Sequence, residues 1–215
     1  MTDKRWTLDP EIDAYLATME LPPAPFMQKL GAARAPIEAG APKVGDPAPG
    51  FTAACLSAGD TEAGDSIGLA DFRGRDLALL FGNVTCPVYR GQIPRFNEIY
   101  NELKERVAFL LIYIREAHPE DGWQVGINYT QNVVYDQPVS AAERAAIAKN
   151  CVHGYAIRMP VAVDDMGDTI NNLYSGSPER LYLIDADGVV RHRSEPGPFQ
   201  LDTIEAWYSA LKQQA

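Results

Sequence analysis

The stretch FGNVTCPVYRGQIPRF, residues 81–96, decides how the chain is read. An apolar run closes on Phe81-Gly82, a lone cysteine follows at Cys86, and Pro87 opens a helical pattern. Ile93, Phe96, Ile99, Tyr100 and Leu103 recur at helical spacing, with Pro94 inside the helix and expected to kink it. DLALLFGN (76–83) before it and VAFLLIYI (107–114) after it are short and almost wholly apolar. Such runs suit parallel strands covered on both faces, so the three segments predict a right-handed βαβ unit. Cys86 then falls beyond the carboxyl end of a central strand and at the amino end of the next helix, where open α/β sheets form ligand crevices. Free backbone N–H groups and the helix dipole favour an anion there, so its thiol is expected to ionise more readily than a free cysteine. Gly82 is expected to let the backbone bend, and Thr85 to hydrogen-bond the thiolate.

Downstream, AAERAAIAKNC (141–151) predicts a helix, MPVAVDD (159–165) an extended run, and MGDTINNLYSG (166–176) a short helix ended at its glycine. RLYLIDADGVVRHRS (180–194) reads as a hairpin around Asp-Gly. LDTIEAWYSALKQQ (201–214) reads as a terminal amphipathic helix capped by Asp202, with Ile204, Trp207, Tyr208 and Leu211 inward. This order predicts an α/β, thioredoxin-like fold: a central mixed sheet with helices on both faces, occupying residues 46–215. Residues 1–45 predict an N-terminal extension that packs as an arm or forms a homodimer contact. Asp9-Pro10-Glu11 starts a helix with Ile12, Tyr15, Leu16 and Met19 on one face. LPPAPF and the Ala/Pro/Gly-rich segment that follows read as linker or as a chain laid across the surface.

Composition narrows the partners. Net charge is −10, which disfavours nucleic acid and anionic membranes. No apolar run reaches about 18 residues, and the charged N-terminus lacks the apolar core of a signal peptide. A cytoplasmic protein without a membrane anchor is expected. Three scattered cysteines, Cys55, Cys86 and Cys151, fit free thiols, with Cys55 and Cys151 structural or resolving. They and the three histidines show no metal-ligand spacing, so no metal is expected.

Two further segments converge on Cys86. Ser177-Pro178 precedes a predicted strand, where this topology places a cis-proline facing the cysteine. Arg180 then serves either the thiolate or a surface ion pair. In IYIREAHPEDGW (112–123), Tyr113, Glu116 and His118 emerge at the strand end that carries Cys86, able to deliver a proton or grip a polar substrate.

These blocks resemble the iodothyronine deiodinases. FGNVTCP is similar to their Phe-Gly-Ser-x-Thr-Sec-Pro signature, with Asn83 for serine and Cys86 for selenocysteine. IYIREAHPEDGW matches their Tyr-Ile-x-Glu-Ala-His…Asp-Gly-Trp block, and MPVAVDDM, SPERLYLID and EPGPF track their C-terminal pattern. The likeness spans roughly residues 76–213. Upstream, KVGDPAPGF…LADFRGRDLALLF resembles peroxiredoxins and thioredoxin-like reductases. The resemblance implies reductive deiodination of an aryl iodide, with Cys86 as nucleophile and Tyr113, Glu116 and His118 binding substrate or relaying the proton. Asn83, Thr85, Pro178 and Arg180 are expected on the substrate side. No bound cofactor is implied, only an external thiol reductant such as thioredoxin, glutathione or dithiothreitol. Cysteine in place of selenocysteine implies slow turnover, and Pro138 stands where the family carries a further histidine. The alternatives are a thiol peroxidase acting on hydroperoxides, against which Asn83 stands where peroxiredoxins carry threonine, and a thioredoxin-fold binding domain without turnover.

Overall fold

The computed structural model describes residues 10–18, 24–56, 65–197 and 201–214. The expected Asp9 cap, the side chains of Leu16 and Met19, and Pro198-Phe199 lie outside the described residues.

Strands β1 (Thr52–Cys55), β2 (Ser66–Gly68), β3 (Leu77–Gly82), β4 (Ala108–Tyr113), β5 (Val161–Val163), β6 (Arg180–Ile184) and β7 (Val190–Arg193) form one sheet. Their spatial order is β2-β1-β5-β4-β3-β6-β7. β3, β4 and β5 run parallel, and the remaining pairings are antiparallel. β3 and β4 carry no exposed residue, because each sits inside the sheet with both faces covered. Their alternate side chains feed two cores. Ala78, Leu80, Phe109, Leu111 and Tyr113 join one, Leu77, Leu79, Phe81, Leu110 and Ile112 the other.

Helix α3 (Pro87–Leu103) makes the βαβ crossover and runs through Pro94. It packs with α5 (Ala141–Gly154) and α7 (Leu201–Gln214) on the first face, through Ile93, Phe96, Ile147, Ala148, Ile204 and Trp207. The Trp207 indole N–H donates to the Tyr182 carbonyl at 3.0 Å, so a large buried ring leaves no polar atom unmet. Helix α6 (Thr169–Tyr174) closes the opposite face with Ile170 and Tyr174. A short helix α4 (Gly126–Thr130) follows β4. The fold class is the expected one, a mixed sheet with helices on both sides.

Several local expectations change. Ser175, at a φ of 52°, ends α6 in the left-handed region, and Gly176 instead gives room to the Phe81 ring. Gly82 has no positive φ; a side chain there would collide with the Tyr89 ring. Asp202 lies inside the first turn of α7 as a favourable acid, one residue past the start of the helix. The largest change is in the supposed linker. Ala24–Gly40 is a 17-residue helix, α2, which buries none of its residues and includes Pro36. Helix α1 (Pro10–Thr18) precedes it, with Ile12 buried against Val125 and Ile127.

Candidate active site

The site lies at the carboxyl ends of β3 and β4. Cys86 is the N-cap residue of α3, with Pro87 in the first turn, as its place between strand and helix implies. Asn83 fixes the loop that leads to it. Its Oδ1 accepts the Cys86 N–H at 3.1 Å and the Ala117 N–H at 3.0 Å, and its amide donates to the Pro178 carbonyl at 3.0 Å. The Ser177-Pro178 bond is cis, and through these hydrogen bonds three chain segments meet on one asparagine. Asn83 is wholly buried and spends its hydrogen bonds on these backbone groups and on the Thr85 hydroxyl.

Thr85 does not face the thiol. Its hydroxyl lies 2.7 Å from Glu116 Oε2 and 3.1 Å from Asn83 Oδ1, and accepts the His118 N–H at 3.1 Å. The Thr85 N–H donates to the same Glu116 oxygen at 3.0 Å. Tyr113 donates its phenolic proton to Glu116 Oε1 at 2.6 Å and accepts the Val84 N–H at 3.1 Å. Glu116 is therefore a buried carboxyl with three donors around it. Burial raises its pKa, and the bonds from Tyr113 and Thr85 act against that rise. Burial also holds the Tyr113 phenol well above its ordinary range.

The His118 ring Nδ1 lies 3.0 Å from the Trp123 carbonyl. A carbonyl only accepts, so Nδ1 carries the proton and Nε2 keeps a lone pair. Burial, with Arg90 and Arg34 nearby, lowers the imidazole to about 4 despite that carbonyl. His118 is neutral at physiological pH.

Cys86 departs most from expectation. Only 2% of it is exposed, and it belongs to the core cluster with Val84, Val88 and Tyr89. Burial, aided by the Glu179 carboxylate, pushes the thiol up to about 12. The backbone N–H groups of Tyr89 and Val88 and the Arg90 charge pull it down, as a helix start should, and lose. Readier ionisation is thus overturned: the closed site holds a neutral thiol.

Arg180 is neither a thiolate partner nor a surface group. It is fully buried and grips Glu38 of α2 through two nitrogens, at 2.7 and 3.1 Å. The cation that acts on the sulfur is Arg90, which is 2% exposed and donates to the Val84 carbonyl at 2.6 Å and to Gln131 at 2.8 Å. It stands four residues after Cys86, and a helical side chain leans over the preceding turn, so the spacing alone could have exposed it. Gln137, bonded to the Glu116 N–H at 2.9 Å and its carbonyl at 3.0 Å, had no such signal. Pro138 beside it is buried. Cys151 is buried in the Cys86 core cluster, whereas Cys55 is partly exposed; all three thiols are free. Among the described residues no group of His, Cys, Asp or Glu could hold a metal ion, and no helix is long and apolar enough to cross a membrane.

A sequence profile of the iodothyronine deiodinase family matches residues 40–212. Thyroxine 5-deiodinase of Rattus norvegicus is 30% identical over 142 residues, 65% of this chain and 45% of that protein. Type II iodothyronine deiodinase of Homo sapiens is 27% identical over 185 residues, 77% of this chain and 67% of that protein. The chain thus spans about half the length of the thyroxine 5-deiodinases it matches. Among solved structures, an uncharacterised conserved protein of Geobacillus kaustophilus aligns with a TM-score of 0.55 at 15% identity, covering 80% of this chain and 84% of that one. A secreted disulfide oxidoreductase of Mycobacterium tuberculosis aligns at 0.50 and 16% identity, covering 74% and 95%. These likenesses concern the fold alone.

Proposed function

Because the chain belongs to the iodothyronine deiodinase family, matched over residues 40–212, we propose that it is a thiol-dependent oxidoreductase that reductively deiodinates an aryl iodide. One observation carries the reading: a thiol at a helix start stands beside a buried Tyr113–Glu116–Thr85 network, with His118 bonded to the same threonine. That arrangement joins a nucleophile to a proton store, the two components the reaction requires.

In the proposed reaction the Cys86 thiolate attacks iodine. An S–I bond forms, the C–I bond breaks, and its electron pair stays on the aryl carbon, which takes a proton. Glu116, kept basic by burial and joined to Tyr113 and Thr85, is the source of that proton. An external thiol then attacks the sulfenyl iodide, releasing iodide and leaving a mixed disulfide. A second thiol restores Cys86 and departs as the oxidised reductant. Aryl iodide and two thiols thus become arene, disulfide, iodide and a proton. Since the resting thiol is neutral, the attacking thiolate forms in the substrate complex, and slow turnover follows. Asn83, Thr85 and Pro178 shape the loop that presents Cys86, and the site needs no bound cofactor. A cytoplasmic thiol such as thioredoxin or glutathione fits as donor.

Iodide release from an iodinated phenol with dithiothreitol tests the reading, with peroxide consumption followed in parallel. Wild type is expected to release iodide and Cys86→Ala to release none. An unchanged rate in that variant rejects the assignment. Peroxide consumed far faster than iodide is released would make the protein a peroxidase instead.

A further inference from the structure

Arginine seldom enters a protein interior without a carboxylate to meet it. Among the described residues three arginines are buried: Arg90, Arg144 and Arg180. Arg144 holds Asp168 and Arg180 holds Glu38, whereas no carboxylate among the described residues pairs with Arg90. Its Nη1 donates to the Val84 carbonyl at 2.6 Å and its Nη2 to Gln131 Oε1 at 2.8 Å. Its Nε is buried with no hydrogen-bond partner among the described residues. Arg144 and Arg180 also leave Nε unmet, but each has its counter-charge. A sealed guanidinium without one costs stability, and tying a single carbonyl to a glutamine does not offset that cost.

Its position supplies the reason. Arg90 stands one turn beyond Cys86 on α3, and a helical side chain leans back over the turn before it. The Val84 carbonyl that anchors its fork lies two residues before Cys86. Burial disfavours the Arg90 charge, and Tyr155, Cys86, Cys151 and Glu116 would each favour it as anions. Glu116 already has its donors, Cys151 is held far above its ordinary range by burial, and a phenol is ordinarily neutral below about pH 10. The Cys86 sulfur is what remains. On α3 it also meets the N–H groups of Val88 and Tyr89, and burial keeps the Tyr89 phenol protonated. Glu179, after cis-Pro178, opposes a negative sulfur. The Arg34 charge on α2 favours one, but Arg34 Nη2 reaches Ser177 Oγ at 3.5 Å, along a rim where Phe26 meets Trp123 edge-on.

We propose that Arg90 is a positioning residue for the reaction: held between the Val84 carbonyl and Gln131, its guanidinium is the built-in counter-charge of the Cys86 thiolate. The proposal rests on the reading of Cys86 as nucleophile and adds the group that makes a sealed sulfur usable. At rest, burial and Glu179 prevail and the thiol is neutral. On ionisation the S–H bond breaks, its electron pair stays on sulfur and the proton passes to solvent. The thiolate then faces two backbone N–H groups and a fixed cation, so it needs no water to solvate it.

Alkylation of native Cys86 by iodoacetamide across pH 8 to 10 tests this in wild type, Arg90→Met and Arg90→Lys, each well below its thermal midpoint. Arg90→Met should react about tenfold more slowly at each pH, as the thiolate fraction falls. Arg90→Lys keeps the charge without the fork and should slow by about threefold at most. A side chain that only tied the core together would do the reverse, because its removal opens a path to the sulfur. Alkylation of Arg90→Met at the wild-type rate or faster therefore overturns the proposal. Should Arg90→Met not fold, Gln131→Leu replaces it, releasing one end of the fork at the close of α4. Slower alkylation there upholds the proposal, and an equal or faster rate overturns it. Iodide release from an iodinated phenol gives a second reading: kcat should fall about tenfold in Arg90→Met with KM nearly unchanged, and an unchanged kcat overturns the proposal. If wild type releases no iodide, the aryl-iodide reading fails alone, because alkylation needs no substrate and still decides Arg90.

Discussion

The ends of β3 and β4 lie side by side and face opposite electrostatic problems. β4 delivers Tyr113 and Glu116 into a buried polar network in which each carboxyl oxygen has a donor. β3 leads to Cys86, whose sulfur sits among Val84, Val88 and Tyr89 and stays protonated. One half of the site is therefore organised before substrate arrives, and the other half is held dormant. Desolvation explains both. It makes satisfied hydrogen bonds costly to lose, and it makes an unpaired negative charge costly to create.

Alkylation breaks this comparison most directly. With the native thiol near 12, Cys86 should react with iodoacetamide at pH 8 about a thousandfold more slowly than in guanidinium-unfolded protein. Peptide mass spectrometry resolves the rate, and a slowing of under tenfold would mean the sulfur is not suppressed. On the polar side, Glu116→Ala strands the Tyr113 hydroxyl and the Thr85 donors in the core. About 3 kcal/mol of stability should be lost, lowering the thermal midpoint by about 6–12 °C, whereas Glu116→Gln should cost roughly half as much. A midpoint unmoved in Glu116→Ala would show that water or a neighbour takes over those donors.

Stability against pH sharpens the contrast with a smaller effect. Above pH 9 the unfolded thiol releases its proton while native Cys86 keeps it up to about 12, so stability falls as pH rises through that window. Native His118 stays neutral down to about 4 while the unfolded imidazole charges below 6.5, so stability falls as pH drops through that window. Each group contributes up to about 1.4 kcal/mol per pH unit inside its window. Denaturant titrations across pH should show the alkaline slope flatten in Cys86→Ala and the acid slope flatten in His118→Gln.

The βαβ unit was legible because β3 and β4 are continuous apolar runs, and Cys86 because strand, cysteine and proline fix a helix start from local order. Its ionisation was not legible. The local signal, free amides and a dipole, is real, but it is outweighed by packing and by Glu179, which is remote in sequence. Arg180 was misplaced for a related reason: its partner, Glu38, is 142 residues away. Helix α2 was hidden twice over. Its Ala, Gly and Pro content reads as linker, and with no buried residue it has no apolar stripe to betray it.

That missing stripe has a consequence of its own. An element moored by a carboxylate between two guanidiniums, by the Arg34–Ser177 hydrogen bond and by an aromatic edge contact is fastened by charge and polar contact more than by oil. Such a mooring can slip and re-form while the sheet beneath stays intact, so the helix at the rim of the site and the body of the protein need not share one stability. Ionic strength, which hardly touches an oily core, is then a natural dial for how often that helix lets go.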